Sequence, residues 1–186
     1  RIDHSGGICA DFLVKRNMEF PVLPRFGIRL FLKKEFDDVL YYGMGPWESY
    51  ADKHRAASHG MYRAKVMDLH EPYIRPQENG SHMDCDYVLL SDGRFVFGAS
   101  SSHPFSFNGS IYTQEELEQK AHDYELEASG STVLCLDYAQ NGIGSNSCGP
   151  ELSEQYQFGS ELFLFSVKLG CYEKMLDEKL LKNVNI

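Results

Sequence analysis

The sequence predicts an all-β protein built as an antiparallel β-sandwich, and two features of the chain indicate this class. Short apolar runs with the alternation typical of β-strands recur along the 186 residues. Clusters of Gly, Pro, Asn and Asp separate these runs, for example at residues 76–80 and 141–149. Many short strands joined by turns favour a sandwich over an α/β sheet, in which long helices would alternate with the strands.

Two runs give the clearest strand predictions. Residues 161–169 (ELFLFSVKL) place Phe163, Phe165 and Val167 on one face of a strand. Residues 131–138 (STVLCLDY) are apolar on both faces, which indicates a central strand that is covered on both sides. The remaining predicted strands are short apolar runs at residues 28–32, 39–42, 87–90 and 95–97.

Two segments are predicted to be helical. Thr113 is followed three residues later by Glu116, which is a capping-box pattern, and this predicts a short helix near residues 114–124. The C-terminal tail predicts an amphipathic helix over residues 172–184. The apolar residues at helical spacing are Leu117, Ala121 and Tyr124 in the first segment, and Tyr172, Leu176, Leu180 and Val184 in the second.

The charge of the chain makes nucleic acid and anionic membrane surfaces poor partners. Lys and Arg total 18 against 27 Asp and Glu, which gives a net charge of -9. An acidic surface without a basic run repels phosphate groups. No stretch approaches the roughly 18 apolar residues of a transmembrane helix. Because the sequence starts at Arg1 with no signal-peptide pattern, we expect an excised piece of a longer protein.

The cysteine pattern predicts neither a disulfide framework nor a zinc site. The five cysteines are scattered and include no CxxC pair. His82 and Cys85 are three residues apart, but no nearby spacing supplies the two further ligands that zinc needs. We therefore predict no metal site in this chain. The cysteines are Cys9, Cys85, Cys135, Cys148 and Cys171.

Two loops each combine a glutamate with aromatic residues. Glu48 lies in residues 43–52 and Glu78 lies in residues 71–80. One interpretation makes them the acid and nucleophile of a glycosidase, which needs two carboxylates flanking the scissile bond. The other is that each carboxylate accepts hydrogen bonds from backbone N–H groups and fixes the shape of its loop. We favour the second interpretation and predict no catalytic residue in this chain.

A third loop, residues 141–150 (NGIGSNSCGP), consists almost entirely of small and turn-forming residues. It lacks the lysine of a phosphate-binding P-loop. Cys148 would need a histidine base to act as a nucleophile, and nothing in the sequence identifies one, so a passive thiol is the favoured interpretation. Such a loop can still present backbone groups and small side chains to a ligand.

Taken together, these segments resemble the C-terminal small-chain domain of glycoside hydrolase family two β-galactosidases. Their order and approximate separations match that family from about Arg1 to Leu169. The pair GPWESYADK and PYIRPQENG is the most specific part. The segments that carry the resemblance are LPRF (23–26), GMGPWESYADK (43–53), PYIRPQENG (72–80), FSFNGSIYTQEEL (105–117) and GIGSNSCGPELSEQYQF (142–158).

The resemblance implies a function for the longer protein. Enzymes of this family hydrolyse terminal β-galactosides with retention of configuration. Two glutamates on an upstream (β/α)₈ barrel carry the chemistry, with Mg and Na nearby, so this chain would hold no cofactor. The expected partners are a β-galactoside substrate, the upstream barrel of the same polypeptide and further copies in a homo-oligomer. We expect the protein to be cytoplasmic.

The resemblance also implies an architecture. The family's C-terminal domain is a supersandwich similar to galactose mutarotase. Residues 1–169 would form part of that domain, truncated at its N-terminal side. Residues 170–186 would be an extension that the resemblance does not cover.

One loop has an implied role in substrate binding. In well-known family members this domain sends a loop toward the active site, where a tryptophan stacks on the aglycone. The matching loop here is 142–150, and Cys148 stands where that aromatic residue would be. Asn146, Ser147 and Cys148 are therefore expected to shape the aglycone side of the pocket, with less stacking area than a tryptophan offers.

Two other functions remain open at this point. The aromatic content of 13% and the Tyr-rich loops are also typical of a stand-alone carbohydrate-binding module. An independent aldose mutarotase follows only from the analogy of fold. That chemistry needs a histidine and a carboxylate converging on the anomeric carbon, and no motif identifies such a pair.

Overall fold

The computed structural model describes residues 1–4, 6–19, 22–144 and 152–173. Within this described part the chain forms eight strands, one α-helix and three short 3₁₀-helices. The strands are β1 (Ile8–Lys15), β2 (Arg25–Lys33), β3 (Asp38–Gly45), β4 (Ser58–Lys65), β5 (Ser81–Ser91), β6 (Phe95–Ser110), β7 (Ser131–Gln140) and β8 (Leu162–Glu173). The helix α1 spans Gln114–Gln119, and the 3₁₀-helices are Val66–Leu69, Asp123–Glu125 and Glu154–Tyr156.

All eight strands belong to one antiparallel sheet, which divides into two arms at β6. The path β1-β8-β6-β5-β3-β4 forms the main part, and β7 joins β6 on one side and β2 on the other. The first half of β6 pairs with β8, and its second half pairs with β7. Pro104 lies between these halves, where the missing N–H group costs no hydrogen bond of the sheet.

The two arms face each other through aromatic rings, which produces the sandwich. Phe26 on β2 meets Phe163 on β8 at 5.1 Å between ring centroids. Tyr138 on β7 stacks on Phe163 at 4.5 Å. Phe12 on β1 lies 6.3 Å from Phe26. Ring pairs in offset and edge-on arrangements stabilise a structure beyond the effect of the area they bury. This aromatic cluster therefore holds the two arms together.

Most of the predicted strands are confirmed. Five of the six predicted runs lie within β2, β3, β5, β6 and β7, and the sixth, residues 161–169, begins one residue before β8. The doubly covered strand is also correct, since residues 132–137 of β7 are all buried. Two strands were missed. β4 is rich in exposed polar residues because it pairs on one side only, with β3, and β1 alternates only weakly.

Both helix predictions need correction. Thr113 caps α1 as predicted, with its hydroxyl oxygen accepting from the N–H of Glu116 at 3.1 Å. However, α1 ends at Gln119, and Tyr124 is 82% exposed rather than packed beside Leu117. Tyr172 belongs to β8, which pairs with β6 as far as Glu173, so the predicted helix over 172–184 does not begin at Tyr172. Residues 174–184 lie outside the described residues. None of the helices in the described part is long and apolar enough to cross a membrane.

His82 is a polar residue in the middle of the core. It is 1% exposed and lies between the rings of Tyr41 and Phe107. Its Nδ1 atom lies 3.1 Å from the Tyr41 hydroxyl oxygen and 3.1 Å from the Met44 carbonyl oxygen. Burial lowers the pKa of His82 to about 4, although the bond to the Met44 carbonyl opposes this effect.

The depressed pKa of His82 predicts a loss of stability in mild acid. Below about pH 6.5 the unfolded chain binds a proton at this residue while the folded chain does not, so the free energy of unfolding falls as pH falls toward 4. Between pH 7.5 and pH 5 the loss from this residue is about 2 kcal/mol. Urea denaturation of His82→Gln should show a smaller decrease than the wild type over this range. The exposed control His103→Gln should keep the wild-type decrease, and an equal decrease in all three proteins would contradict the prediction.

Candidate functional site

The sequence-predicted substrate contacts Asn146, Ser147 and Cys148 lie outside the described residues. The structure does describe the stem from which they continue, residues 141–144, and the chain from Leu152 onward. It also describes both glutamate-bearing loops, which lie next to this stem. The candidate site is therefore the loop-rich end of the sandwich formed by residues 43–53, residues 71–80 and the stem.

Glu48 is the buried carboxylate that joins the first two loops. Its side chain is 3% exposed. The Oε2 atom accepts from the backbone N–H of Gly80 at 2.8 Å. The Oε1 atom accepts from the Lys53 ammonium group and the Tyr73 hydroxyl group. Both oxygens are therefore engaged, and the donors come from three separate places in the chain.

The environment of Glu48 holds its neighbours in fixed protonation states. Burial opposes the charge on Lys53, but its hydrogen bonds to Glu48 and Tyr73 raise the pKa of Lys53 above its ordinary value. Burial, together with the bond to Glu48, raises the pKa of Tyr73. Lys53 therefore stays charged and Tyr73 stays neutral at physiological pH, which suits a permanent hydrogen-bonded cluster.

Gly80 takes a conformation that only glycine tolerates well. Its φ is +71°, and a Cβ atom there would lie 2.4 Å from the carbonyl oxygen of Leu69. The bond from its N–H group to Glu48 is therefore made at a position where the backbone must approach Leu69 closely. On the next residue, Ser81, the carbonyl oxygen accepts from the N–H of Ser49 at 2.6 Å. The two loops thus run side by side for several residues.

Glu78 belongs to a second cluster built around Arg25. The Arg25 guanidinium group contacts Glu78 and both carboxylate oxygens of Asp137. Burial raises the pKa of Asp137 to about 6, although Arg25 opposes this shift. Burial opposes the charge on Arg25, but Asp137 and Glu78 raise its pKa. A cleft of about 290 Å³ lies beside this cluster, between Arg29, Gln114 and Cys135.

The geometry matches the loop-shaping interpretation for Glu48, whereas Glu78 is held by an arginine side chain instead of by a backbone N–H group. Glu48 accepts a backbone N–H group, as that interpretation predicts, and its other oxygen is held by Lys53 and Tyr73. Glu78 is paired with Arg25. The two carboxylates belong to different clusters with different partners, and each is occupied in holding protein groups together.

The stem of the third loop is held at each described residue. The Asn141 N–H donates to the Pro24 carbonyl oxygen at 2.8 Å, and the Gly142 N–H donates to the Tyr156 carbonyl oxygen at 3.2 Å. The Asn141 side chain accepts from the Phe158 N–H at 2.6 Å. The next two N–H groups, those of Ile143 and Gly144, both donate to the carboxylate of Asp52.

The described residues offer little chemistry beyond positioning. No group of three or more His, Cys, Asp or Glu among them is placed to hold a metal ion. The four cysteines that are described are free thiols: Cys9, Cys85, Cys135 and Cys171. Burial raises the pKa of Cys135 to about 11, which makes its thiol a poor nucleophile.

Sequence reasoning identified Glu48 and Glu78 but missed their partners and Asp52. Asp52 lies in the segment GMGPWESYADK, but the residues around it do not show which N–H groups its carboxylate accepts from. The available signal was the pair Gly142 and Gly144, because glycines beside a small-residue loop indicate a close approach by another group. Arg25 and Asp137 are 112 residues apart, and only the pairing of β2 with β7 brings them together.

The Glu48 cluster predicts a large and local effect on stability. Glu48→Gln keeps the shape but removes the charge and replaces one acceptor by an amide group that cannot accept. Glu48 is 3% exposed and its contact with the Gly80 N–H group is buried, whereas the Lys53 side chain is 49% exposed and stays hydrated. We therefore expect the free energy of unfolding to fall by about 1–3 kcal/mol. Chemical denaturation followed by circular dichroism measures this change.

The matched control is Asp38→Asn, which weakens the ion pair with Arg63. That pair is much more exposed, with side-chain exposures of 24% and 66%. Its loss should cost about 1 kcal/mol or less. An equal decrease in the free energy of unfolding of the two variants would contradict the prediction that the buried carboxylate contributes more to stability.

Comparison with known proteins identifies the family of the chain. A family model described as "Beta galactosidase small chain" matches residues 1–169. The chain is 51% identical over 157 residues to a β-galactosidase of Actinobacillus pleuropneumoniae, which covers 84% of this chain and 15% of that protein. It is 42% identical over 168 residues to a β-galactosidase of Staphylococcus xylosus, which covers 90% of this chain and 17% of that protein. The chain thus spans about one sixth of the length of these relatives. On this evidence the chain belongs to the β-galactosidase small chain family.

Proposed function

We propose that this chain is the non-catalytic C-terminal domain of a cytoplasmic, homo-oligomeric β-galactosidase that removes terminal β-D-galactose residues with retention. Its function is to shape the aglycone side of the pocket through Asn146, Ser147 and Cys148 and to support assembly with the upstream barrel. The observation that carries the proposal is the match to the small-chain family over residues 1–169. The catalytic glutamates are assigned to the upstream barrel.

The chemistry of the described residues supports a non-catalytic role. Both oxygens of Glu48 are held by Lys53, Tyr73 and Gly80, and a carboxylate engaged in this way is poorly placed to attack a sugar. Glu78 is paired with Arg25. Among the described residues, no group of three or more His, Cys, Asp or Glu is placed to hold a metal ion. The resemblance to the family assigns the Mg and Na ions to the upstream part of the longer protein.

The exposed apolar residues support a role in assembly. The outer face of β1 and β8 exposes Leu13, Leu162 and Leu164, which are 74%, 62% and 53% exposed. Leu13 and Leu164 are directly opposite each other in the sheet. Neighbouring exposed apolar side chains on a sheet are typical of surfaces that another part of a protein covers.

The proposal predicts that activity requires the longer protein. The purified chain should not turn over a chromogenic β-galactoside, whereas the full-length parent should. Within the parent, Cys148→Trp should strengthen the binding of galactosides with a sugar aglycone by about fivefold or more, because an aromatic platform contributes about 1 kcal/mol or more. Turnover by the isolated chain would return Glu48 and Glu78 to consideration as a catalytic pair.

A second candidate function is that of a carbohydrate-binding module, which the exposure of Trp47 favours. Trp47 is 59% exposed in the loop that contains Glu48, and it is the single tryptophan of the chain. An exposed ring can bind the apolar face of a sugar. Titration of the isolated chain with lactose, followed by tryptophan fluorescence, should give no saturable change if the chain acts only as a domain of the enzyme. A saturable change would favour the binding module, provided that lactose binding measured by calorimetry is also lost in Trp47→Ala, a variant that has no tryptophan to report by fluorescence.

A further inference from the structure

Asp52 makes an unusual contact for a residue in a tight turn. Its Oδ1 atom accepts from the N–H of Ile143 at 2.9 Å, and its Oδ2 atom accepts from the N–H of Gly144 at 2.8 Å. Asp52 is 91 residues from Ile143 and 92 residues from Gly144 in the chain. A charged acceptor that binds two consecutive backbone donors fixes both the position and the direction of that backbone.

The stem has the sequence that this contact requires. A Cβ atom at Gly142 would lie 2.3 Å from Cγ of Asp52 and 2.4 Å from its Oδ1. Gly144 has a φ of +69°, which a residue with a side chain rarely adopts. The glycines at 142 and 144 therefore allow the stem to lie directly against the carboxylate. Asn141 and Gly142 are held by backbone and amide groups, whereas Ile143 and Gly144 are held by Asp52.

Asp52 is itself held firmly. It lies in a two-residue turn closed by reciprocal bonds between Tyr50 and Lys53, at 2.8 and 3.0 Å. Tyr50 is 3% exposed, and its hydroxyl oxygen accepts from the Ser81 N–H at 3.4 Å. Lys53 is bound to Glu48. The carboxylate of Asp52 is therefore presented by a turn with one end bound to Glu48 through Lys53 and the other end buried against Ser81 through Tyr50.

We infer that Asp52 is a positioning residue for aglycone selectivity, because it fixes the stem from which Asn146, Ser147 and Cys148 continue. This inference rests on the proposed function. A side chain can contact the aglycone reproducibly only if the backbone that carries it is held in a fixed position. A displacement of about 1 Å in a positioning element can change a rate by up to about a hundredfold.

The test compares two substrates in the full-length parent enzyme. Lactose has a sugar aglycone, whereas the leaving group of β-galactosyl fluoride is a single atom. The measured quantity is the ratio of kcat/KM for lactose to kcat/KM for the fluoride. We expect Asp52→Ala to lower this ratio about tenfold, mainly through KM for lactose, and Asp52→Asn, which keeps one acceptor, to lower it by less.

The ratio separates positioning from a general loss of folding. A smaller folded fraction lowers both values of kcat/KM equally and leaves their ratio unchanged. The matched control is Asp92→Ala, since Asp92 also binds two backbone N–H groups in a turn, those of Arg94 at 2.8 Å and Phe95 at 2.6 Å. Asp92 lies beyond the opposite end of β5 from Ser81, roughly 30 Å of strand away. Its variant should keep the wild-type ratio.

A double-mutant cycle tests whether Asp52 acts through the stem. Gly142→Ala should lower the ratio, because the added methyl group would displace the stem from the carboxylate. In the Asp52→Ala background the same substitution should have little further effect, since the group it collides with is gone. Independent, multiplicative effects of the two substitutions would overturn the inference.

Direct substitutions in the loop distinguish failure of this inference from failure of the proposed function. If Asn146→Ala and Cys148→Trp change the ratio while both Asp52 variants leave it unchanged, the inference is wrong and the proposed function stands. If none of these variants changes the ratio, the aglycone role itself is wrong. If the Asp52 variants change the ratio but the loop variants do not, Asp52 acts by another route and the inference is overturned.

Discussion

The loop-rich end of this domain depends on one buried carboxylate, that of Glu48. A carboxylate that loses its water must be surrounded by donors, because an unpaired charge in the interior is strongly unfavourable. Glu48 obtains its donors from Lys53, Tyr73 and Gly80, so two loops separated by about twenty residues are forced to pack as one unit. The requirement to satisfy a single side chain thus fixes the relative position of several segments that have no regular secondary structure.

The Arg25 cluster extends this constraint to the strands. Arg25 begins β2, Asp137 lies on β7, and Glu78 belongs to the same loop as Gly80. Only a glycine fits at position 27, because a Cβ atom there would lie 2.1 Å from the Asp137 carboxylate. The aromatic cluster of Phe12, Phe26, Tyr138 and Phe163 holds the two arms together without strong directionality. The ionic clusters then determine where the loops sit on those arms, since charged hydrogen bonds are sensitive to geometry.

The part of this architecture that the sequence predicts is the part set by local patterns. β7 was identifiable because residues 133–136 are all apolar, and Thr113 marked the start of α1. The full length of β6 was not identifiable, because residues 100–104 (SSSHP) have the composition of a turn. In the structure these residues lie where β6 changes partners from β8 to β7. Likewise, the chemistry of Glu48 indicated a loop-shaping role, but its partners depend on tertiary contacts. Asp52 carried no local signal at all, because the groups it binds are 91 residues away.

These contacts also suggest why a positioning function suits this end of the sandwich. Side chains that contact a variable aglycone can change with little effect on folding if the backbone beneath them is fixed by other groups. Here the stem is fixed by Asp52, Asp52 by the turn at Tyr50 and Lys53, and Lys53 by Glu48, and each of these contacts lies outside residues 145–150. The stem beneath the residues proposed to meet the substrate is therefore held by residues other than these.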